Sequence, residues 1–300
     1  MTDSRYWSSY VQSTEELYHS RSLRFRPDNM HRWTEAMGLQ DGMSILEVGC
    51  AGGLLCHRLQ EHLPASRIIG VDLDAGHIAF AREKTAALGL NCRFVTADAL
   101  QLPFQDASFD ACISHTVVNF CEPEGFIREQ KRVLRPGGRI VMMNVVNSRP
   151  GPEEWVPTEA HEEFTLFDRL WEAAARNPLS ETKRYPSIPE VLMPILKRHG
   201  FGQTTVDAVS VVKYAPDYDA TPPELARMQI ADDRMSELSS AMKARRLAPD
   251  ARTGAEFAAL TDMISRRWDA ALAAYERGEK RWEYRLSTVL VLSAVKEAKA

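Results

Sequence analysis

The sequence of 300 residues lacks any run of about 18 apolar residues, the length that a membrane-spanning helix requires. It also lacks a basic excess, because 37 Lys and Arg stand against 41 Asp and Glu and the net charge is −4. Nucleic-acid-binding domains usually carry a positive patch, whereas the Lys/Arg groups here are short and interrupted. We therefore expect no membrane span and no nucleic-acid partner.

Cysteine is scarce, and its placement argues against several kinds of site. All five cysteines lie in the first half of the chain, and no two have CxxC spacing. This pattern predicts reduced thiols and a cytoplasmic location instead of a disulfide framework. It offers no iron–sulfur cluster, and we predict no metal ligands. The polar, aromatic start of the chain has no apolar segment of the signal-peptide type.

Between residues 44 and 146, short apolar runs alternate with stretches of helical periodicity. Strands separated by helices of this length predict βαβ units and a parallel sheet. The near-continuous apolar character of the strands predicts that both faces of the sheet are covered. The predicted strands are 44–48, 67–72, 92–96, 110–114 and 139–145, and the predicted helices are 54–62, 75–88 and 123–134.

After residue 146 the pattern becomes mainly helical, at 153–178, 189–199 and 222–278, with strands predicted at 204–214 and 283–295. The predicted domains are an N-terminal helical lid (1–40), a core (41–215 plus 280–300) carrying a lid insertion (153–178), and a helical insertion (216–279). The helical insertions are also candidate homodimer faces. The predicted fold is α/β, a Rossmann-like, doubly wound, seven-stranded and mostly parallel sheet with helical lid insertions.

A glycine-rich turn at residues 49–53 connects the first strand to the first helix, where backbone can approach a ligand closely. The dinucleotide pattern G-x-G-x-x-G requires glycine at two positions that Ala51 and Leu54 occupy. A nicotinamide-dependent oxidoreductase is therefore the disfavoured alternative. S-adenosylmethionine (SAM) has no phosphate and carries a cationic sulfonium and an amino group, which suit the acidic Glu47 beside the loop.

Two carboxylates follow the next strands. Asp72 ends the second strand, nineteen residues after Gly53, where it can accept hydrogen bonds from both hydroxyls of a ribose. Asp98 follows the third strand, where it can accept from an adenine amino group, and the alternative is that it caps a turn. Together with the loop, these acids favour SAM over a dinucleotide.

Residues 44–145 resemble the core of the class I SAM-dependent methyltransferases, specifically the small-molecule branch. Ala51 stands where that family usually has glycine. The implied function is transfer of the SAM methyl group to an O, N or C atom of a small-molecule acceptor, with release of S-adenosylhomocysteine (SAH). A SAM-binding regulator without catalysis is an alternative. The resemblance is carried, in order, by Ile45-Leu46-Glu47-Val48-Gly49-Cys50-Ala51-Gly52-Gly53, Gly70-Val71-Asp72, Ala97-Asp98-Ala99, Phe109-Asp110 and Arg132-Val133-Leu134-Arg135-Pro136-Gly137-Gly138.

The resemblance also implies which residues hold the donor. The glycine loop would bind its amino-acid end, the end of the second strand its ribose, and the turn after the third strand its adenine. The donor-binding residues predicted in this way are Glu47, Gly49, Cys50, Ala51, Gly53, Asp72, Leu73, Asp98, Ala99, Leu100 and Ser114.

His115 follows at the tip of the fourth strand and is the predicted catalytic residue. Methyl transfer needs a general base only if the nucleophile arrives protonated, and contact with the donor is the alternative role of His115.

Arg21, Arg24 and Arg26 are expected at the surface, with pairing to the SAM carboxylate as the alternative. Weaker base candidates are His161, Tyr6, Tyr10 and Tyr18. The aromatic residues of the predicted lid line an acceptor pocket or form a second core: Tyr6, Trp7, Tyr10, Phe164, Phe167 and Trp171.

Overall fold

This computed structural model describes residues 14–146, 161–176, 185–214, 222–250, 254–279 and 285–298. The chain divides into two compact units. No helix of the described residues combines the length and the apolar character needed to cross a bilayer. The first unit comprises Met1–Asn147, Lys183–Val211 and Ser287–Ala300, and the second comprises Ser148–Thr182 and Val212–Leu286.

The described residues form one seven-stranded sheet, with strands in the order β3-β2-β1-β4-β5-β7-β6. The pairs β1–β2, β1–β4, β2–β3 and β4–β5 are parallel, and β5–β7 is antiparallel. The predicted Rossmann-like, mostly parallel sheet is therefore confirmed. The strands are β1 (Ser44–Val48), β2 (Arg67–Asp72), β3 (Arg93–Thr96), β4 (Phe109–His115), β5 (Leu134–Val146), β6 (Phe201–Tyr214) and β7 (Arg285–Lys296).

Helices α1 to α5 and α7 belong to the first unit, and α6, α8 and α9 belong to the second. A short 3-10 turn (Pro27–Asn29) joins the first two helices, and a second one (Val118–Phe120) follows β4. The helices are α1 (Thr14–Ser22), α2 (Met30–Met37), α3 (Leu54–His62), α4 (Ala75–Leu88), α5 (Pro123–Val133), α6 (His161–Ala175), α7 (Pro189–Arg198), α8 (Pro223–Leu247) and α9 (Gly254–Glu276).

Local sequence explains where the helices beside the strand ends begin. The Asp74 carboxylate accepts a hydrogen bond from the N–H of Gly76 at 2.8 Å and caps the N-terminus of α4. The Glu122 carboxylate accepts hydrogen bonds from the N–H groups of Glu124 and Gly125 and caps the N-terminus of α5, where Pro123 occupies the first turn. Acceptor side chains at these positions satisfy the N–H groups that a helix start leaves unpaired.

The central strands are mainly apolar because each face of the sheet has its own core. In β1, Ile45 belongs to the cluster that contains Trp33, whereas Leu46 belongs to the cluster that contains Phe126. Successive side chains of a strand point to opposite faces, so a strand covered on both sides reads as a near-continuous apolar run.

The boundaries of several elements differ from the predicted ones. β5 begins at Leu134 and not at residue 139, because Leu134 already pairs with Phe109 before the Pro136-Gly137-Gly138 turn shifts the register. The predicted helical stretch 222–278 is two helices, α8 and α9. Helix α6 belongs to the same compact unit as α8 and α9.

The second unit has its own hydrophobic cluster, centred on Leu170, Ile264 and Trp268. Phe167 and Trp171, predicted to line an acceptor pocket or a second core, pack against this cluster. These contacts favour the second core. The role of the helical segments as a lid stays a prediction.

Candidate functional site

A cavity of about 220 Å³ lies where β1, β2 and β4 end, and the described residues of the first unit line it. Ligand sites of open parallel sheets lie at the carboxyl ends of the strands. Five of the predicted site residues are not part of the lining, namely Glu47, Cys50, Gly53, Leu100 and Ser114. Seven are brought together there, namely Gly49, Ala51, Asp72, Leu73, Asp98, Ala99 and His115.

The glycine loop is tied to the end of β2 by backbone hydrogen bonds. The N–H groups of Gly49 and Cys50 both donate to the carbonyl of Val71, at 2.8 and 2.9 Å. The N–H of Ala51 donates to Oδ2 of Asp72 at 2.8 Å. The loop and the acid are therefore held in one rigid arrangement.

Glycine is required at both ends of this loop. Gly49 has φ +75°, and a Cβ there would lie 2.3 Å from Cγ2 of Val117, which lines the cavity. Gly53 has φ +81°, and a Cβ there would lie 2.6 Å from the ring of Phe94. Left-handed backbone without a side chain leaves the peptide surface open to a ligand. The loop thus fits the close approach that binding of the donor's amino-acid end requires.

Ala51, the position where the family usually has glycine, also adopts left-handed backbone, with φ +47°. A side chain in this region costs about 1–2 kcal/mol. Alanine therefore keeps the shape of the loop at the expense of local strain, and Ala51 still lines the cavity.

Glu47 lies behind the loop, where it is 1% exposed. The thiol of Cys56 donates a hydrogen bond to its Oε2 at 3.0 Å. Burial raises the pKa of Glu47 to about 7, although this thiol and the charge of Arg21 act to lower it. Glu47 is not part of the cavity lining, and its interaction with the donor's amino group stays a prediction.

Asp72 is held by two backbone donors, because its Oδ1 also accepts from the N–H of Asp74 at 2.9 Å. Each oxygen keeps a further lone pair for a ligand hydroxyl. Buried His77 lies beside it, with Nδ1 3.9 Å from Oδ1 of Asp72 and Nε2 3.8 Å from Oδ2 of Asp74. These distances are too long for hydrogen bonds, and His77 also lines the cavity.

Asp98 has the turn-capping role that the sequence offered as an alternative, and its contact with adenine stays a prediction. Its Oδ1 accepts from the N–H of Leu100 at 2.8 Å and caps the turn, while the residue also lines the cavity. Leu73 lines the cavity too and is 49% exposed. Such an apolar side chain beside two acids is suited to packing against a nucleoside.

His115 is 2% exposed and meets an arginine that the sequence placed at the surface. Nη1 of Arg24 lies 3.3 Å from Nε2 of His115. Arg21 lines the same cavity, so the surface expectation was wrong for both arginines. Arg26 does pair with the exposed Asp28, at 3.0 Å. Burial, followed by the charges of Arg21 and Arg24, lowers the pKa of His115 well below its usual range.

Sequence reasoning missed several lining residues. Leu17 is one of them, and its spacing of four positions from Arg21 places both on one face of α1 and could have suggested a shared role. Thr116 has φ +58°, which is unusual for a β-branched residue and has no sequence signature. The other lining residues that were not predicted are Val48, Val71, Asp74, His77, Ala97, Val117, Phe120 and Cys121.

Two of the weaker candidates for a base, Tyr18 and His161, are not part of the cavity lining. The hydroxyl of Tyr18 lies 3.1 Å from Nδ1 of His57, and Tyr18 is not part of the lining. His161 begins α6 in the second unit. Tyr6, Trp7 and Tyr10 lie outside the described residues.

Comparison with known proteins gives concordant results. Residues 46–142 match the family model of the methyltransferase domain. The chain is 30% identical over 193 residues to the ubiquinone/menaquinone biosynthesis C-methyltransferase UbiE of Stutzerimonas stutzeri, a match that covers 59% of this chain and 74% of that protein. It is 42% identical over 100 residues to the demethylmenaquinone methyltransferase of Thermus thermophilus, covering 33% of this chain and 46% of that protein. The chain thus spans less than half of the length of this second relative.

Among solved structures, the [4+2]-cyclase SpnF is similar with a TM-score of 0.51 at 21% identity, covering 91% of this chain and 81% of that one. This likeness shows a shared fold and says nothing about the reaction. The match to the Stutzerimonas relative extends over 74% of that protein. The chain belongs to the class I S-adenosylmethionine-dependent methyltransferases, a family whose methyl donor is SAM.

Proposed function

We propose that this chain transfers the methyl group of SAM to an oxygen, nitrogen or carbon atom of a small-molecule acceptor, with SAH as product. One observation carries the proposal: a single cavity brings the open backbone of Gly49 together with the carboxylates of Asp72 and Asp98. The donor needs these three features for its amino-acid end, its ribose and its adenine.

SAM, when bound, supplies an electrophilic methyl group on a sulfonium. The residues of the chain hold and orient it. Gly49 and Ala51 would bind the amino-acid end through backbone, and Asp72 with Leu73 would bind the ribose. Asp98 with Ala99 would bind the adenine. In-line transfer then depends on orientation and on exclusion of water.

The remaining predicted donor-binding residues would act from behind the lining. Glu47 would contribute its negative charge, and Cys50 and Gly53 would shape the loop through the contacts described above. Leu100 would hold the turn of Asp98, whose carboxylate accepts from its N–H. Ser114 is buried next to His115 at the tip of β4.

The relatives point to a class of acceptor that can be tried first. The names of two of them refer to quinone biosynthesis. We infer that quinols and related phenols belong at the head of an acceptor panel. The net charge of −4 supports a small acceptor over a nucleic acid.

Isothermal titration with SAM, SAH and NADH tests the donor. We expect SAM and SAH to bind and NADH not to bind. Tight binding of NADH without binding of SAM would contradict the proposal and favour the oxidoreductase alternative.

Turnover of methyl-labelled SAM against quinols, phenols and a metabolite extract tests catalysis. We expect label in at least one small molecule. Binding of SAM without labelling of any compound would favour a regulator.

Two further expectations go with this function. A homodimer through the helical insertions would appear as twice the chain mass of 33.8 kDa in light scattering.

The cytoplasmic location would appear on fractionation of cells that express the protein.

A further inference from the structure

Arg24 is anchored at both its backbone and its side chain. Its carbonyl accepts hydrogen bonds from Nδ2 of Asn29 at 3.0 Å and from Nε1 of Trp33 at 3.3 Å. Its Nε donates to Oγ of Ser287 at 3.0 Å. These contacts place Nη1 at 3.3 Å from Nε2 of His115. These hydrogen bonds therefore hold the guanidinium of Arg24 against the imidazole of His115.

This contact determines where His115 carries its proton. An arginine side chain only donates hydrogen bonds, so Nε2 of His115 must accept with its lone pair. A neutral imidazole that accepts at Nε2 carries its hydrogen at Nδ1. Burial and the charges of Arg21 and Arg24 disfavour the imidazolium and lower the pKa of His115. His115 thus has neither a free lone pair nor a positive charge at neutral pH.

The N–H at Nδ1 is buried and has no hydrogen-bond partner among the described residues. A buried donor without an acceptor is unfavourable, which makes an acceptor on a ligand the natural partner. His115 and Arg21 both line the cavity, and within the described part of the chain no hydrogen bond or ion pair occupies the guanidinium of Arg21. One N–H donor and one guanidinium suit a carboxylate.

We propose that His115 donates through its Nδ1–H to the carboxylate of the donor's methionine moiety, with Arg21 as the cationic partner, and that Arg24 is the positioning residue that imposes this tautomer. The inference rests on the proposed function, because it places SAM in the cavity. It replaces the general-base role predicted for His115, since Arg24 occupies the only lone pair that could take a proton.

Nitrogen-15 NMR of the histidine-labelled protein tests the tautomer directly. His115→Asn assigns the resonance among the eight histidines. At pH 7 we expect the neutral form with hydrogen at Nδ1. Arg24→Met should give a mixture of tautomers and a higher pKa for His115, whereas Arg26→Met removes a charge two residues away and should change neither. An imidazolium, or hydrogen at Nε2, in the wild-type protein would overturn the inference.

Binding of SAH and of 5′-methylthioadenosine, which lacks the amino-acid part, tests the ligand group. His115→Leu should weaken SAH binding about tenfold and change methylthioadenosine binding less than twofold. His115→Asn places an amide N–H near the position of Nδ1 and should restore most of the affinity for SAH. Equal affinities of His115→Leu and wild type for SAH would overturn the inference.

A measurement on the wild-type protein alone covers the case in which a variant does not fold. The Nδ1-bound proton of His115 should shift when SAH is added and not when methylthioadenosine is added. Equal shifts with both ligands would overturn the carboxylate contact. A wild-type protein that binds neither ligand would instead contradict the proposed function.

Discussion

The carboxylate of Asp72 accepts a hydrogen bond from the N–H of Ala51 at 2.8 Å, so the acid that ends β2 is a structural part of the glycine loop. Its second oxygen accepts from Asp74 at 2.9 Å. The group predicted to bind the ribose therefore also shapes the backbone predicted to bind the amino-acid end. Any change at Asp72 should affect both ends of the donor.

Asp72→Asn tests this coupling. The amide of asparagine must turn its NH2 group toward one of the two backbone N–H donors, which loses one hydrogen bond. We expect the free energy of unfolding to fall by about 1–3 kcal/mol and the affinity for SAH to fall at least tenfold. Urea unfolding and calorimetry measure these changes. Asp28→Asn, in an exposed ion pair, should change stability by less than about 0.5 kcal/mol. Unaltered SAH binding by Asp72→Asn would contradict the coupling.

Gly49→Ala, compared with a matched glycine variant, distinguishes the effect of a steric clash in the loop from the effect of backbone strain. The added methyl group would lie 2.3 Å from Val117, so either the loop or the cavity wall must move. Gly42→Ala is the matched control, because Gly42 has φ +87° and nothing within 4 Å of the new Cβ. Both variants should lose about 1 kcal/mol of stability to strain, but only Gly49→Ala should lose SAH binding. Equal SAH affinities of the two variants would show that Gly49 is not close to the donor.

Ala51→Gly tests the position where this chain departs from its family. The left-handed φ of +47° strains alanine and suits glycine. We expect a gain in unfolding free energy of up to about 1 kcal/mol, with SAH affinity within twofold of wild type. Ala107→Gly, at φ +55° and outside the cavity lining, should show the same gain. A loss of stability in Ala51→Gly alone would mean that the methyl group packs favourably.

Glu47→Gln should stabilise the protein in a pH-dependent way. Burial raises the pKa of Glu47 from 4.5 to about 7, so between these values the folded state holds a proton that the unfolded state has released. The stability contributed at this position therefore falls as pH rises from 4.5 to 7. Glutamine does not titrate, so the variant should gain up to about 3 kcal/mol over wild type at pH 8 and little at pH 4.

Urea unfolding of both proteins at several pH values measures this difference, with Glu35→Gln on the exposed face of α2 as the charge control. SAM binding should weaken in Glu47→Gln if the carboxylate attracts the cationic donor. A stability difference that does not depend on pH would contradict the raised pKa.

Tyr18→Phe should loosen α1, the helix that carries Leu17 and Arg21 to the cavity. The hydroxyl of Thr85 donates to Ala81, so Nε2 of His57 must donate to Thr85 at 2.8 Å and its Nδ1 must accept from Tyr18. Loss of this hydrogen bond should cost about 1 kcal/mol and weaken SAH binding several-fold.

The hydrogen bond between Tyr18 and His57 should also make the stability of the protein depend on pH. Burial lowers the pKa of His57 from 6.5 to about 4, so its stabilising effect is complete above pH 6.5 and is lost as pH falls toward 4. His57→Gln should therefore lose less stability than wild type on acidification over this range. Urea unfolding at pH 7 and at pH 4.5 measures the loss of stability on acidification for each protein. An equal loss in wild type and in His57→Gln would contradict this assignment.

The sequence by itself determined the sheet, the glycine loop and the two acids. Each of these signals is local: a run of apolar residues, a turn that needs glycine, or a carboxylate directly after a strand. Because the carboxyl ends of parallel strands meet at one edge, correct strand ends were enough to bring Gly49, Asp72 and Asp98 together.

Only the tertiary structure showed the contact between Arg24 and His115 and the position of Glu47 outside the cavity lining. Arg24 is 91 residues from His115 in sequence, and its side chain is fixed by Ser287, a further 172 residues along. Contacts across such distances depend on how α1 and the turn after it pack against the strand tips, which no periodicity of the chain reports. The motifs therefore located the candidate site, whereas long-range packing determined which side chains lie against one another within it.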